Sequence, residues 1–194
     1  MKLRRLLLCS LAGGLTLHAW LFCSYVVGQW SWAAFEALPQ GHPVLAALAG
    51  SGLEAGLYHH HPAELQQFRA TQSPTVPVLV YLPQGYNPLE PGQKLALAAC
   101  SLATAAAAAW LLLLPGLQLP QFSRRMAVVL CIGLAVALSG RIIPALMLHF
   151  PARYVWITLA DQAGAWLATA AVLAALTRPG AAGQVAGNMG GRHD

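Results

Sequence analysis

The sequence predicts an all-α membrane protein: a four-transmembrane-helix bundle with an extracytoplasmic loop that contains short strand and helix segments. Three observations carry this expectation. The 194-residue chain is 57% hydrophobic and only 9% charged, whereas a soluble domain carries roughly 25% charged residues. The apolar residues gather into four runs, each able to cross a hydrocarbon core of about 30 Å. Lysine and arginine are shared unequally between the connections of those runs, the asymmetry that sets orientation in a bilayer.

The first element, residues 1–27, is a transmembrane anchor. Met1-Lys2-Leu3-Arg4-Arg5 is a positive start, and the apolar run extends from Leu6 to Val27. The apolar region of a signal peptide is about 7–15 residues, shorter than this run. Leu8 and Phe22 stand where a lipoprotein site before Cys9 or Cys23 needs a small residue. Ser31-Trp32-Ala33 is a passable cleavage site, but the length of the run favours an uncleaved anchor. Tyr25, Trp30 and Trp32 suit an aromatic belt at the outer interface.

Residues 28–93 form an extracytoplasmic loop or cap, the only substantial polar region. Val44 to Tyr58 is apolar but short and is broken by Gly50, Gly52 and Gly56, so it suits an interfacial helix rather than a span. Alternation through Val76, Val78 and Val80, punctuated by prolines, predicts one or two short strands. Residues 94–178 form a three-helix region with spans at Leu95–Leu114, Met126–Leu148 and Tyr154–Leu176. The glycine-rich segment 179–194 is expected to be a disordered cytoplasmic tail.

Orientation follows from the cations. Lys2, Arg4, Arg5, Arg124, Arg125, Arg178 and Arg192 fall on one side, and Arg69, Lys94 and Arg153 on the other. The positive-inside rule makes the first side cytoplasmic, placing both ends there and the chain in the cell inner membrane. The formal charge of +5 therefore reads as a topology signal, and nucleic acid is not an expected partner. The expected partners are the lipid bilayer and other membrane subunits.

Polar residues inside the spans are the candidates for chemistry. At about 1.5 Å of rise per residue, Arg141 and Asp161 lie at one level on consecutive antiparallel helices. His18 on the first helix falls close to that level, and Ser101 and Thr104 on the second bracket it. The five form one expected intramembrane polar layer. Buried charge in lipid needs a partner, so an Arg141–Asp161 ion pair is the natural expectation. It serves either as a structural staple between helices or as part of a quinone, lipid-headgroup or proton site with His18. Pro144, three residues after Arg141, is expected to kink the third span.

A second candidate is the run His59-His60-His61, with Glu64 close by. Histidine is the commonest metal ligand, so zinc or copper could bind there, although the signal is weak and the sequence names no cofactor. The run lacks the one-face spacing of metal motifs, and a solvated histidine cluster is the plainer reading. Haem would need facing histidines, and His149 lies too far above His18 to share one. Cys9, Cys23, Cys100 and Cys131 sit in apolar stretches without a CxxC pair and read as small hydrophobes. That pattern also excludes the four-helix quinone reductases that generate disulfides. No GxSxG, Walker A, HExxH or dinucleotide-binding glycine pattern occurs. The alanine-rich stretches Ala105–Ala109 and Ala168–Ala175 mark close helix packing, within the bundle or against another subunit.

Three segments together carry a resemblance. They are Gly56-Leu57-Tyr58 with Pro62, Val76 to Tyr81 with Pro83 and Gly85, and Phe150-Pro151 through Tyr154 and Asp161 to Trp166. The arrangement resembles a group of small bacterial four-helix inner-membrane proteins with no assigned activity. The chain departs from that pattern at Leu146-Met147-Leu148-His149, where aromatic residues would be expected. The resemblance implies the four-span topology and the prominence of Asp161, and no reaction. The absence of a catalytic signature and the small-residue helix faces lead instead to the expectation of a non-enzymatic accessory or assembly subunit of a membrane complex. The alternative is a metal- or quinone-linked redox protein using the loop histidines or the His18/Arg141/Asp161 layer.

Overall fold

The computed structural model describes residues 3–36, 39, 42–58, 79–82, 90–115, 117 and 119–178. Helix α1 (Leu3–Phe22) runs on through a π-helical turn at Cys23–Val27. A short 3-10 turn follows at Trp30–Ala34 and then helix α2 (Pro43–Ala49). Helix α3 (Pro91–Leu112) leads to α4 (Phe122–Ala137), which continues through a second π-helical turn (Leu138–Ile142) into α5 (Ile143–Met147). Helix α6 (Ala152–Leu176) is the last described element. Four helical stretches are long and apolar enough to cross a membrane: Leu3–Val27, Pro91–Leu112, Phe122–Met147 and Ala152–Leu176. They match the four runs read from the sequence. All four start a little earlier, because the polar residues Arg4, Gln93, Arg124 and Arg153 join the first turns without breaking the backbone.

The loop differs from expectation in one segment. Helix α2 occupies only the first half of the stretch expected to be an interfacial helix. Gly50 ends it by donating to the Ala46 carbonyl at 3.0 Å, and Gly52 then turns the chain at φ +69°, a conformation that glycine adopts without a Cβ clash. Gly56–Tyr58, the other half, is strand β1, paired antiparallel with β2 (Leu79–Tyr81) in the register Leu57↔Val80. Backbone pairing across the loop thus replaces the second half of the helix. Residues 76–78, the start of the expected strand, and the tail 179–194 lie outside the described residues.

Packing is antiparallel between neighbours. Gly13 and Gly14 of α1 face Ala105 and Leu102 of α3, while Gly13 also meets Leu173 of α6. Gly133 of α4 lies against Trp166 of α6. A Cβ at Gly14 would come within 2.8 Å of the Leu102 backbone, so only glycine allows that approach, the small-residue packing that brings apolar helices together. Helices α1 and α6 pack on each other at the centre, with α3 on the far side of α1 and α4 on the far side of α6; α3 and α4 barely touch.

The two halves of this arrangement are built differently. Near the chain ends, Cys9, Ala108, Leu112, Val129, Trp166 and Leu173 belong to one buried cluster that draws on all four helices. Toward the opposite end the buried cluster shrinks to Leu17, Leu21 and Ala165, with Leu97 packed on it and no residue from α4. The bundle is closed at one end and splayed between α3 and the third span at the other, where Ala137, Ile142 and Ala145 of that span are still buried. Outward faces are largely apolar: Leu8, Leu15, Leu134 and Leu167 are each more than half exposed.

Candidate functional site

Both polar end-layers of the bundle are organised by hydrogen bonds that cross between helices. At the closed end the cations do more than mark topology. Arg125 is 3% exposed. Its Nε donates to the Ala174 carbonyl at 2.9 Å, and its Nη1 to the carbonyls of Leu119 and Pro120 at 2.7 and 2.8 Å. Arg5 donates to the carbonyls of Leu176 and Arg178. The last carbonyls of a helix have no partner within it and carry the negative end of the macrodipole. Two arginines from α1 and α4 thus supply donors and positive charge where α6 ends. These bonds also fix the start of α1, the start of α4 and the end of α6 on one face.

At the splayed end sits the layer read from the sequence. Asp161 is 7% exposed on α6. Its Oδ1 accepts from the indole Nε1 of Trp20 at 3.0 Å and from that of Trp30 at 3.2 Å. Trp20 reaches it from α1 because Gly164, one turn along α6, leaves room for the indole: a Cβ at Gly164 would collide with the Trp20 ring. Trp30 arrives from beyond the helix. The π turn at Cys23–Val27 closes with Gly28 N–H on the Cys23 carbonyl at 2.7 Å, and Gln29 adopts φ 54°. The following 3-10 turn folds back over α6. Ser24, fully buried, also accepts from the Trp30 indole.

Arg141 takes a different partner from the one expected by depth. Its Nη1 donates to the Tyr25 hydroxyl at 3.0 Å. Both residues lie on π turns, one at the end of α1 and the other between α4 and α5. The second π turn has a clear cause. Pro144 has no N–H for the Gly140 carbonyl, and Ile143 donates instead to Leu138, closing the wider turn. The kink expected at Pro144 is thus an inserted residue, a form common at functional positions.

The remaining layer members stay apart. Ser101 and Thr104 donate to carbonyls of their own helix, Leu97 and Cys100, at 2.9 and 2.8 Å. His18 carries a buried Nδ1 with no hydrogen-bond partner among the described residues. The expected layer therefore resolves into an Asp161 group joining α1, α6 and the turn after α1, and an Arg141–Tyr25 link joining α1 to the α4–α5 turn.

Aromatic contacts tie the layer to the loop. Trp20 and Trp30 ring centroids are 5.8 Å apart, and the Trp32 indole donates to the Tyr25 carbonyl at 3.0 Å. Phe35 meets Tyr154 edge-on at 5.4 Å, and Tyr154 meets Phe150 at 4.8 Å. Sequence alone marks Tyr25, Trp30 and Trp32 only as an interfacial belt and does not single out Trp20. The signal that could have found their role is the clustering of indole donors within a few turns of a carboxyl on a long apolar helix.

A cleft of about 290 Å³ opens beside the Arg141–Tyr25 link. Lys94 and Gln93 from the first turn of α3, Trp32, Tyr25 and Arg141 supply its polar wall. Leu21, Val26 and Leu97 supply the apolar one.

Among the described residues no group of three His, Cys, Asp or Glu side chains could hold a metal ion. His59, His60, His61 and Glu64 lie outside the described residues. Of the four cysteines only Cys9 is buried; Cys23, Cys100 and Cys131 are free thiols on exposed faces. No family model, no curated protein and no solved structure matches the chain.

Proposed function

We propose that the chain is a multi-pass protein of the cell inner membrane, with both ends cytoplasmic, and that it serves as a non-enzymatic accessory or assembly subunit of a membrane complex. The membrane reading is supported by the exposed leucines of all four long helices, an apolar belt that in water would be an aggregation surface. The orientation is supported by Arg5, Arg124, Arg125 and Arg178 gathering at the closed end, since cations concentrate on the cytoplasmic side.

One observation carries the subunit reading. Ala105, Ala108, Ala109, Ala170 and Ala174 are consumed inside the bundle. On α3, however, Ala96, Ala99, Ala103 and Ala107 recur at helical spacing on an exposed face. A stripe of small residues facing lipid is a surface another helix can approach closely. The Asp161 carboxyl and the Tyr25 hydroxyl at the splayed end are meanwhile engaged in holding helices together. The test places a photo-crosslinking residue at Ala103, and in parallel at Leu134 on α4, in native membranes. The reading expects one defined adduct from position 103, abolished by Ala99→Leu. A chain that yields only lipid adducts from both positions and purifies alone overturns it.

A second reading, a metal- or quinone-linked redox protein, is favoured by the unpartnered Nδ1 of His18, since buried polar atoms are normally bonded. Iron, copper and zinc analysis and quinone extraction of the untagged protein check it. Sub-stoichiometric amounts of all four would end it.

A further inference from the structure

The cleft at the splayed end has the chemistry of a headgroup site. Two cations from separate parts of the chain, Lys94 on α3 and Arg141 on the α4–α5 turn, line one small cavity. None of its described lining residues is acidic. Like charges sharing a low-dielectric site repel unless an anion lies between them. Tyr25 holds the Arg141 guanidinium in place at 3.0 Å, so its remaining donors are positioned before any ligand arrives. A planar guanidinium matches phosphate oxygens in pairs, while a lysine ammonium serves as a point charge.

Position identifies the source of the anion. Lys94 is the fourth residue of α3, and Arg141 lies six residues before the end of α5 at Met147, about 9 Å by helical rise. The two therefore span the depth from the interface to the top of the acyl region. The wall opposite the cations is Leu21, Val26 and Leu97. The cleft opens between α3 and the third span, since α3 barely touches α4 and the buried cluster of Leu17, Leu21 and Ala165 takes no residue from α4. A cavity of about 290 Å³ is at the small end of ligand sites, sized for a headgroup and the first part of a chain.

We infer that this cleft binds the phosphate of an anionic membrane lipid, with Lys94 and Arg141 on the phosphate and Leu21 and Leu97 along the start of its acyl chain. The inference rests on the membrane-spanning reading above.

Native mass spectrometry of the full chain released from detergent tests it, with phosphatidylglycerol, phosphatidylcholine and inorganic phosphate as probes. The expected result is one tightly held phosphatidylglycerol, preferred about tenfold over phosphatidylcholine and not displaced by millimolar phosphate. A lost charge-assisted contact lowers affinity by about tenfold or more, so Lys94→Gln and Arg141→Gln should each release the lipid. Arg153→Gln, a cation at the same end that does not line the cleft, should retain it. Lys94 lies in the first turn of α3, where substitution leaves the buried clusters intact, so a folded Lys94→Gln protein is the deciding variant. Equal retention of both lipids, wild-type retention by Lys94→Gln, or displacement by free phosphate each overturns the assignment. A chain that stays monodisperse in water without detergent would instead overturn the membrane reading itself.

Discussion

Replacing Asp161 separates an aromatic lock from an ion pair, because asparagine and alanine should behave differently there. Both indole bonds end on the same oxygen, Oδ1, at 3.0 Å from Trp20 and 3.2 Å from Trp30. An asparagine side chain would keep an acceptor at that point, whereas alanine would keep none. A buried donor left without an acceptor costs about 1–3 kcal/mol. Trp20 is half-buried and takes the full penalty. Trp30 is 47% exposed and has Ser24 as a second acceptor, so its share is at the low end. Asp161→Ala is therefore expected to destabilise by about 2–4 kcal/mol and Asp161→Asn by about 1 kcal/mol. The assay is reversible unfolding in mixed detergent–SDS micelles, followed by tryptophan fluorescence. A double-mutant cycle with Trp20→Phe should return a coupling of about 1 kcal/mol with Asp161→Ala. Equal losses for the two Asp161 variants, together with zero coupling to Trp20, would refute the lock. If a salt bridge to Arg141 were the main contact instead, Asp161→Asn and Arg141→Gln would both lose about 3–5 kcal/mol.

Three further perturbations probe other parts of the frame. Arg125→Gln should destabilise by about 2–4 kcal/mol, because three backbone carbonyls at the end of α6 and before α4 lose a charged donor. Exposed Arg124→Gln should stay within about 0.5 kcal/mol, and thermal unfolding of the pair in one detergent decides this. Gly164→Val should lose about 1–3 kcal/mol by overpacking against the Trp20 indole, with a shift in tryptophan emission that the same substitution at exposed Ala163 does not produce. His149→Gly should stabilise by about 1 kcal/mol, since His149 sits at φ 55° where α5 ends and left-handed backbone disfavours a Cβ; the melting temperature reads it.

The spans were legible because composition and run length act over twenty or more residues, and no tertiary detail can hide such a signal. Arg141 and Asp161 were legible as polar residues within apolar helices, and helical rise assigns each an expected depth. Their partners were not. Depth says nothing about azimuth, and each π turn adds a residue that rotates everything beyond it by about 100° relative to a regular helix. Tyr25 and Arg141 both lie on such turns, so a regular projection misplaces both side chains. Trp30 is further out of reach, because it returns to Asp161 through the left-handed Gln29, and nothing marks a glutamine as a turn residue. Arg125 illustrates a different loss. Its charge counts toward orientation from sequence alone, but its burial against the end of α6 depends on how far α4 begins below the last carbonyls.

The two ends of the molecule solve one problem in opposite ways. Helix termini expose unpaired carbonyls and amides, and intramembrane charges need partners. At the closed end the guanidinium groups of Arg5 and Arg125 answer the carbonyls of α6 directly, and all four helices meet in one buried cluster beneath them. At the other end the carboxyl of Asp161 is answered by indoles and, among the described residues, the guanidinium of Arg141 by a phenol. An indole has one donor and a phenol offers one site, while a guanidinium has five N–H groups. Asp161 can be satisfied by the tryptophans that surround it, but one tyrosine cannot satisfy Arg141. The surplus donors of Arg141, beside Lys94 in a cleft that α4 leaves open, give the splayed end a demand for an anion that the closed end does not have. Filling that demand from within the chain, for example by Leu97→Glu on the cleft wall, should raise the melting temperature in neutral detergent while lowering phosphatidylglycerol retention. A variant that does neither would show that the cations of the cleft are already compensated.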